Sequence, residues 1–218
     1  LHLNCASPIG ELSVDALLPP HLRRRRAQVL LNPECVTVQR ATGSILHAHL
    51  LNFEHAASVL AAASLAPPAH FVTQGSNMRW TRPGWDAKVV RSDTSLAGAC
   101  TAPWDPSSPG ASMRHALSLD DAAWSRYAAA LLRPGGGAAA SAAAPTPPWR
   151  VAQMHEGAFF PWSIVRQFVS RLRASLALAL PSPRTEPLTA LDAVRTIVEE
   201  VYLPTFALAA LQRQSGGG

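Results

Sequence analysis

At 218 residues and 48% hydrophobic composition, the chain is long enough to bury one substantial core and too short for two comfortable domains. No apolar run approaches the roughly 20 residues of a membrane-spanning helix, since the longest, around 176–180, is interrupted by Arg173 and Pro181. The net charge of +5 invites a nucleic-acid reading, yet Lys88 is the one lysine among 19 basic residues, and the arginine excess beside abundant Ala, Pro and Gly reads as the imprint of GC-rich coding.

In chain order, residues 1–4 (L-H-L-N) form a short apolar alternation closed by A-S-P, as at the end of a strand entering a loop. Arg23 to Arg26 is the true basic cluster; with no aromatic residues interleaved for base stacking, it reads as a solvated helix end rather than a phosphate or RNA patch. Residues 28–32 and 35–39 are short β-type runs. Gly43-Ser44 opens a long helix whose apolar face is Ile45, His49, Phe53, Ala57 and Leu60, with His47, Asn52 and Glu54 opposite and Pro67-Pro68 as its stop. Residues 70–74 (H-F-V-T-Q) form a buried strand, 75–77 a turn, and Pro83 the start of a further helix. This repeated order of strand, turn and helix favours an α/β fold over a bundle.

Residues 104–110 are a Pro/Ser/Gly loop, 120–132 a helix with Asp at its start, and 133–148 a low-complexity Gly/Ala/Pro insertion within a single domain spanning 1–218. A strand at 149–154 follows, then helices over 161–180, 189–200 and 206–213. Leu1 in place of Met and the terminal Gly216-Gly217-Gly218 lead us to expect that both ends are cut from something longer.

Several chemistries lack their residues. Cys5, Cys35 and Cys100 are odd in number and show no C-x-x-C spacing, which argues against zinc and leaves open which pair, if any, forms a disulfide. His47 and His49 point about 200° apart around a helix and cannot share one ion. His49, on the apolar face, reads as a core residue. His155-Glu156 lacks the second His of H-E-x-x-H, and neither a glycine-rich phosphate loop after a strand nor a G-x-S-x-G elbow occurs.

What remains is Glu199-Glu200, adjacent carboxylates after the amphipathic run Leu191, Val194, Ile197, Val198 and just before a helix that Pro204 lets begin. Consecutive helical residues diverge by about 100°, so one of the two can face a given cleft. Amide dipoles at a helix N-terminus keep a carboxylate ionised, the state a general base needs.

The order of segments resembles the core-2/I-branching β-1,6-N-acetylglucosaminyltransferase family, which also includes xylosyltransferases. Four places carry the likeness: 1–8 (L-H-L-N-C-A-S-P), the helix of 43–55, the strand and turn of 70–84 (H-F-V-T-Q-G-S-N-M-R-W-T-R-P-G), and Glu156 to Phe160 followed by 199–205 (E-E-V-Y-L-P-T). The chain departs from the family's pattern where its G-x-D acid is missing from Gly75-Ser76-Asn77-Met78, where Ala158 replaces Ser, and where Val198 replaces the Pro before the acids. These departures bear on sugar and acceptor specificity.

The resemblance implies a GT-A-like mixed sheet flanked by helices, incomplete at both ends, with the first nucleotide-binding strand before Leu1 and the basic residues that neutralise the leaving diphosphate after Gly218. It implies inverting transfer of acetylglucosamine or xylose from a nucleotide sugar to a glycan or glycoprotein, with no metal or other cofactor and no nucleic-acid partner. Glu200 corresponds to the family's base and Glu199 to its acidic neighbour. Glu156, Gly157, Phe159 and Phe160 would border the sugar, and Ser76 and Asn77 would stand at the rim of the sheet. Location in the Golgi or another secretory membrane, facing the lumen and anchored by a segment outside this chain, is likewise implied. A catalytically inactive module of the same fold and an organellar RNA-associated protein are the competing readings.

Overall fold

The architecture comes from a computed structural model, which describes residues 32–39, 42–73, 89, 131, 157–177, 186–194, 198 and 201–215. These contain helix α1 (Ser44–Ala62), strands β1 (His70–Val72) and β2 (Phe159–Pro161), helix α2 (Trp162–Ala177), a 3-10 helix (Pro187–Ala193) and helix α3 (Tyr202–Ser215). The expected strands at 1–4 and 149–154, the helix at 120–132 beyond Leu131 and the insertion at 133–148 lie outside the described residues.

Helix α1 is rich in Ala and Leu and free of interior Gly and Pro, so propensity and packing agree. Its start is built by short polar side chains. Ser44 Oγ accepts from Gln39 N at 2.9 Å, Thr42 Oγ1 donates to Gln39 O at 3.0 Å, and the two hydroxyls lie 2.7 Å apart. Gly43 N donates to Val194 O at 2.9 Å. A Cβ at Gly43 would stand 2.4 Å from Leu191 O, so this position tolerates no side chain.

The helix ends at Ala62, before the expected stop at Pro67-Pro68. Leu65 N donates to Leu60 O and Ser64 N to Ala61 O, with Ser64 at φ 53°, so the chain leaves through a left-handed residue that satisfies the last carbonyls. The sequence concealed this stop because it places Ser where Gly is usual.

The helix faces also differ from expectation. Leu46, His47, Leu50, Leu51 and Phe53 are buried, whereas Ile45 and His49 are half-buried. His47 and Glu54, seven residues apart and so on one face, meet the 3-10 helix and α2 rather than solvent. A polar stripe that reads as a solvated face is an internal docking face.

Strands β1 and β2 pair antiparallel, with His70 opposite Pro161, Phe71 opposite Phe160 and Val72 opposite Phe159. Thr73 N donates to Ala158 O at 2.9 Å and Gly157 N to Thr73 O at 2.8 Å, extending the ladder one step past the strands. Gly157 has φ 78°, a conformation that its missing Cβ permits. The run at 70–74 was expected to be buried; β1 is half-buried. Of the run at 35–39, Val36 alone makes a bridge.

In α2, Val165, Phe168, Val169, Leu172 and Leu176 recur at helical spacing and are buried, while Ser163, Arg166, Gln167 and Ser170 are exposed. Phe168 packs on Phe206 of α3 with ring centroids 5.5 Å apart. The Arg171 guanidinium lies 5.7 Å above the same Phe206 ring and donates to Leu131 O at 3.1 Å. Burial, and then the charge of Arg171, push the Arg213 guanidinium below its ordinary range.

The helix expected at 189–200 is instead a 3-10 helix that stops at Ala193, with Val194 extended at ψ 117°. Leu188 and Leu191, three apart and thus stacked on one face of a 3-10 helix, are both fully buried. The last helix starts at Tyr202, four residues before its expected beginning at Phe206.

Replacing Ser64 by Gly relieves the left-handed strain and should raise stability by about 1 kcal/mol; thermal unfolding checks this, with an increase of roughly 2–4 °C expected for a chain of this size. Gly43→Ala should act in the opposite direction, by about 1–3 kcal/mol, because the added methyl meets a carbonyl that cannot swing aside.

Candidate functional site

A cleft opens between α1, the two-stranded sheet and the first turn of α3. Helix α1 contributes Leu46, His49 and Leu50; β1 and the residue after it contribute Phe71 and Thr73. Ala158 and Phe160 come from β2 and its approach, and Leu203 and Pro204 from α3. It encloses about 330 Å³ of empty space, its open mouth included. Its closed part has room for about one water molecule.

Local structure explains why these residues meet. Directly opposed residues of an antiparallel pair share a face, so Phe71 and Phe160 point together toward α1. Phe53 anchors Phe71, 5.5 Å away in an edge-to-face arrangement, and lies 4.3 Å from Trp162. Phe159 occupies the other face, where its ring meets His70 at 5.9 Å. Pro204 sits in the first turn of α3, where a missing N–H breaks no helical bond.

The walls are apolar, with Thr73 and His49 as the polar members. Thr73 Oγ1 donates to Ala158 O at 3.3 Å, tying the hydroxyl to the strand ladder. His49, expected in the core, is half-buried on the cleft wall.

Of the expected site residues, Gly157, Phe159 and Phe160 are described. Both phenyl rings are covered by protein, at 5% and 2% exposure, and only Phe160 faces the cleft. Ser76, Asn77, Glu156, Glu199 and Glu200 lie outside the described residues, as does the run Arg23 to Arg26. The residues bracketing the acidic pair are described. Val198 and Val201 are fully buried, and Val198 O accepts from Val201 N at 3.1 Å and Tyr202 N at 2.8 Å. Glu199-Glu200 thus joins two anchored valines immediately before the N-terminal end of α3, and Leu203 and Pro204 lead from that junction to the cleft.

Two polar links that the sequence reading missed hold the segment upstream of this junction. His47 Nδ1 lies 2.9 Å from Asp192 Oδ1, with the imidazole buried and the carboxylate 41% exposed. Arg173 makes a two-pronged contact with Glu54, at 2.6 Å through both Nε and a terminal nitrogen, and its other terminal nitrogen bonds Glu186. Glu186 also caps the 3-10 helix by accepting from Leu188 N at 3.1 Å. Hydrogen bonding to Glu54 raises the Arg173 pKa above its ordinary value against the opposing effect of burial, so the guanidinium stays charged wherever the protein folds. A hint was available: His47 and Glu54 share a helical face.

Cys35 is disulfide-bonded, and its partner, Cys5 or Cys100, lies outside the described residues. No group of three or more His, Cys, Asp or Glu side chains able to hold a metal occurs among the described residues. No helix among them is long and apolar enough to cross a membrane. Compared with known protein families, curated proteins and solved structures, the chain finds no match.

Arg173→Lys keeps the charge and loses the fork that joins α1, α2 and the 3-10 helix. It should cost about 1 kcal/mol. A thermal-unfolding cycle with Glu54→Gln should give non-additive losses.

Proposed function

We propose that the chain is the core of an inverting glycosyltransferase that moves a sugar from a nucleotide-sugar donor to a hydroxyl of a glycan or glycoprotein. The observation that supports this reading most is convergence. Three of the four segments that resemble the branching acetylglucosaminyltransferases contribute described residues to the one cleft: Leu46, His49 and Leu50 from 43–55, Phe71 and Thr73 from 70–84. Ala158, Phe160, Leu203 and Pro204 come from the paired segment 156–160 and 199–205. These stretches are far apart in sequence, and one cleft is what a shared site requires.

In this reading Glu200 accepts the proton of the acceptor hydroxyl while that oxygen bonds to the anomeric carbon; the bond from that carbon to the nucleotide's phosphate oxygen breaks, and the nucleotide leaves with the electron pair. Its place just before α3 keeps the carboxylate in its basic form. Glu199 stands in place of the acidic neighbour that the family's base has. Ser76, Asn77, Glu156 and the Gly157 turn border the donor sugar. The disulfide at Cys35 fits the lumen of the Golgi or another secretory compartment, where such bonds persist.

The departures from the family's pattern favour a second reading, a glycan-binding module of the same fold without turnover: the G-x-D acid is missing from Gly75-Ser76-Asn77-Met78 and Ala158 stands where the family has Ser. Both readings face one experiment, transfer and donor hydrolysis by the full-length protein against a panel of nucleotide sugars. Glu200→Gln should lower turnover by about 10²- to 10⁴-fold with donor binding intact. Binding without turnover in the wild type selects the inactive module, and absence of nucleotide-sugar and glycan binding sinks both.

A further inference from the structure

Strand geometry shapes the inner end of the cleft. The ladder runs on through Ala158, whose carbonyl accepts from Thr73 N at 2.9 Å, so Ala158 and Phe160, two residues apart, point to one face of the sheet. The opposed Phe71 joins them there, and Leu46 of α1 faces them across the cleft. The closed end that these side chains leave has room for about one group of water or methyl size. A buried water needs about two to four hydrogen-bonding partners. The described wall offers two polar side chains, His49 and Thr73, and Thr73 Oγ1 directs its proton to Ala158 O at 3.3 Å. An apolar group therefore gains more from this end than water does. Ala158 stands where the resembled family has Ser, so a hydroxyl that would wet the same wall is missing.

We infer that the closed end seats the methyl of an acetamido group, so that the sugar held at this cleft is an N-acetylhexosamine; the inference rests on the reading of the cleft as a sugar site. A glucose or xylose unit offers only hydroxyls, which lose their water on entering an apolar end and find no partners there. The methyl of a 6-deoxy sugar is bonded directly to its carbon skeleton and cannot reach a recess without bringing the ring along. A long alkyl chain needs an apolar channel that continues, whereas this one closes after about one methyl. An acetamido group carries its single methyl beyond a flat amide, which places the apolar tip inside and leaves the polar stem outside. Xylosyl transfer is thereby disfavoured against acetylglucosaminyl transfer.

The test is calorimetric binding to the full-length protein with two sets of ligands, uridine diphosphate sugars and free sugars, which separate a donor from an acceptor as the carrier of the acetamido group. Each set compares glucose, xylose, N-acetylglucosamine and its N-propanoyl and N-butanoyl analogues. In at least one set, N-acetylglucosamine should bind about 10- to 100-fold more tightly than glucose, and the N-butanoyl analogue should lose about tenfold again. Ala158→Val, which fills the end with two methyls, should erase the acetyl preference while glucose binds as in the wild type, and Ala158→Ser should reduce it. Equal binding of glucose and N-acetylglucosamine, affinity rising steadily with acyl length, or an undiminished preference in a folded Ala158→Val overturns the inference. Should Ala158→Val not fold, the acyl series on the wild type decides. Transfer is read separately: acetyl preference in binding without transfer removes the transferase reading and leaves the inference standing, and transfer without acetyl preference does the reverse. Absence of sugar binding in both sets overturns both.

Discussion

Backbone meets backbone where Gly43 passes Leu191, and the placement of the chain beyond α2 hangs on that approach. No side chain separates the two, so the Gly43 amide reaches the Val194 carbonyl and the first turn of α1 lies directly on the 3-10 helix. The polar contacts around it are consequences of that proximity. His47, one turn further along α1, is brought within bonding distance of Asp192; Glu54, two turns beyond, reaches Arg173. Arg173 then closes the circuit through Glu186 to the start of the same 3-10 helix.

The cleft arises beside α1 for a different reason. A pair of three-residue strands is too small to be stable by itself and must be backed by helices. Phe71 leans on Phe53 from one side, and Trp162 closes the cluster where β2 runs straight into α2. The rings are too bulky and flat to fill the angle between a helix and a small sheet, and the first turn of α3 roofs what remains. Side chains that stabilise the sheet are therefore the ones that shape the space beside it.

Much of this was legible in the chain. The uninterrupted helix after Gly43-Ser44, the strand beginning at His70, the helix over 161–180 and a helix at the C-terminal end all follow from period and punctuation, and each is found with shifted edges. What escaped shares one cause, tertiary contact overriding local pattern. Residues 189–193 read as the start of an α-helix, but Pro187, the Glu186 cap and the pull of Gly43 on Val194 tighten 187–193 into a 3-10 turn that ends early. His47 and Glu54 read as solvated because their partners are remote in sequence and leave no local periodicity. Ser64 hid the end of α1 by adopting a conformation that pattern reading assigns to glycine. Of the candidate site, the sequence offered the segments and their order, while their meeting at one cleft depended on the aromatic packing between them.

The partners of the Gly43 turn are separated from it by most of the polypeptide, His47 and Asp192 by 145 positions. Ribosomes deliver chains from the N-terminus, and a contact cannot form before both of its members have emerged. Helix α1 is complete before its partners and has a buried polar face with nothing to bury it against until Arg173 and Asp192 are made. Throughout that interval its Leu46, Leu50 and Phe53 surface is an unfinished interface in search of any apolar match, the condition in which nascent chains associate wrongly. A fold closed by contacts this remote in sequence closes late, and depends on chaperone cover or on speed of synthesis more than its final packing would suggest.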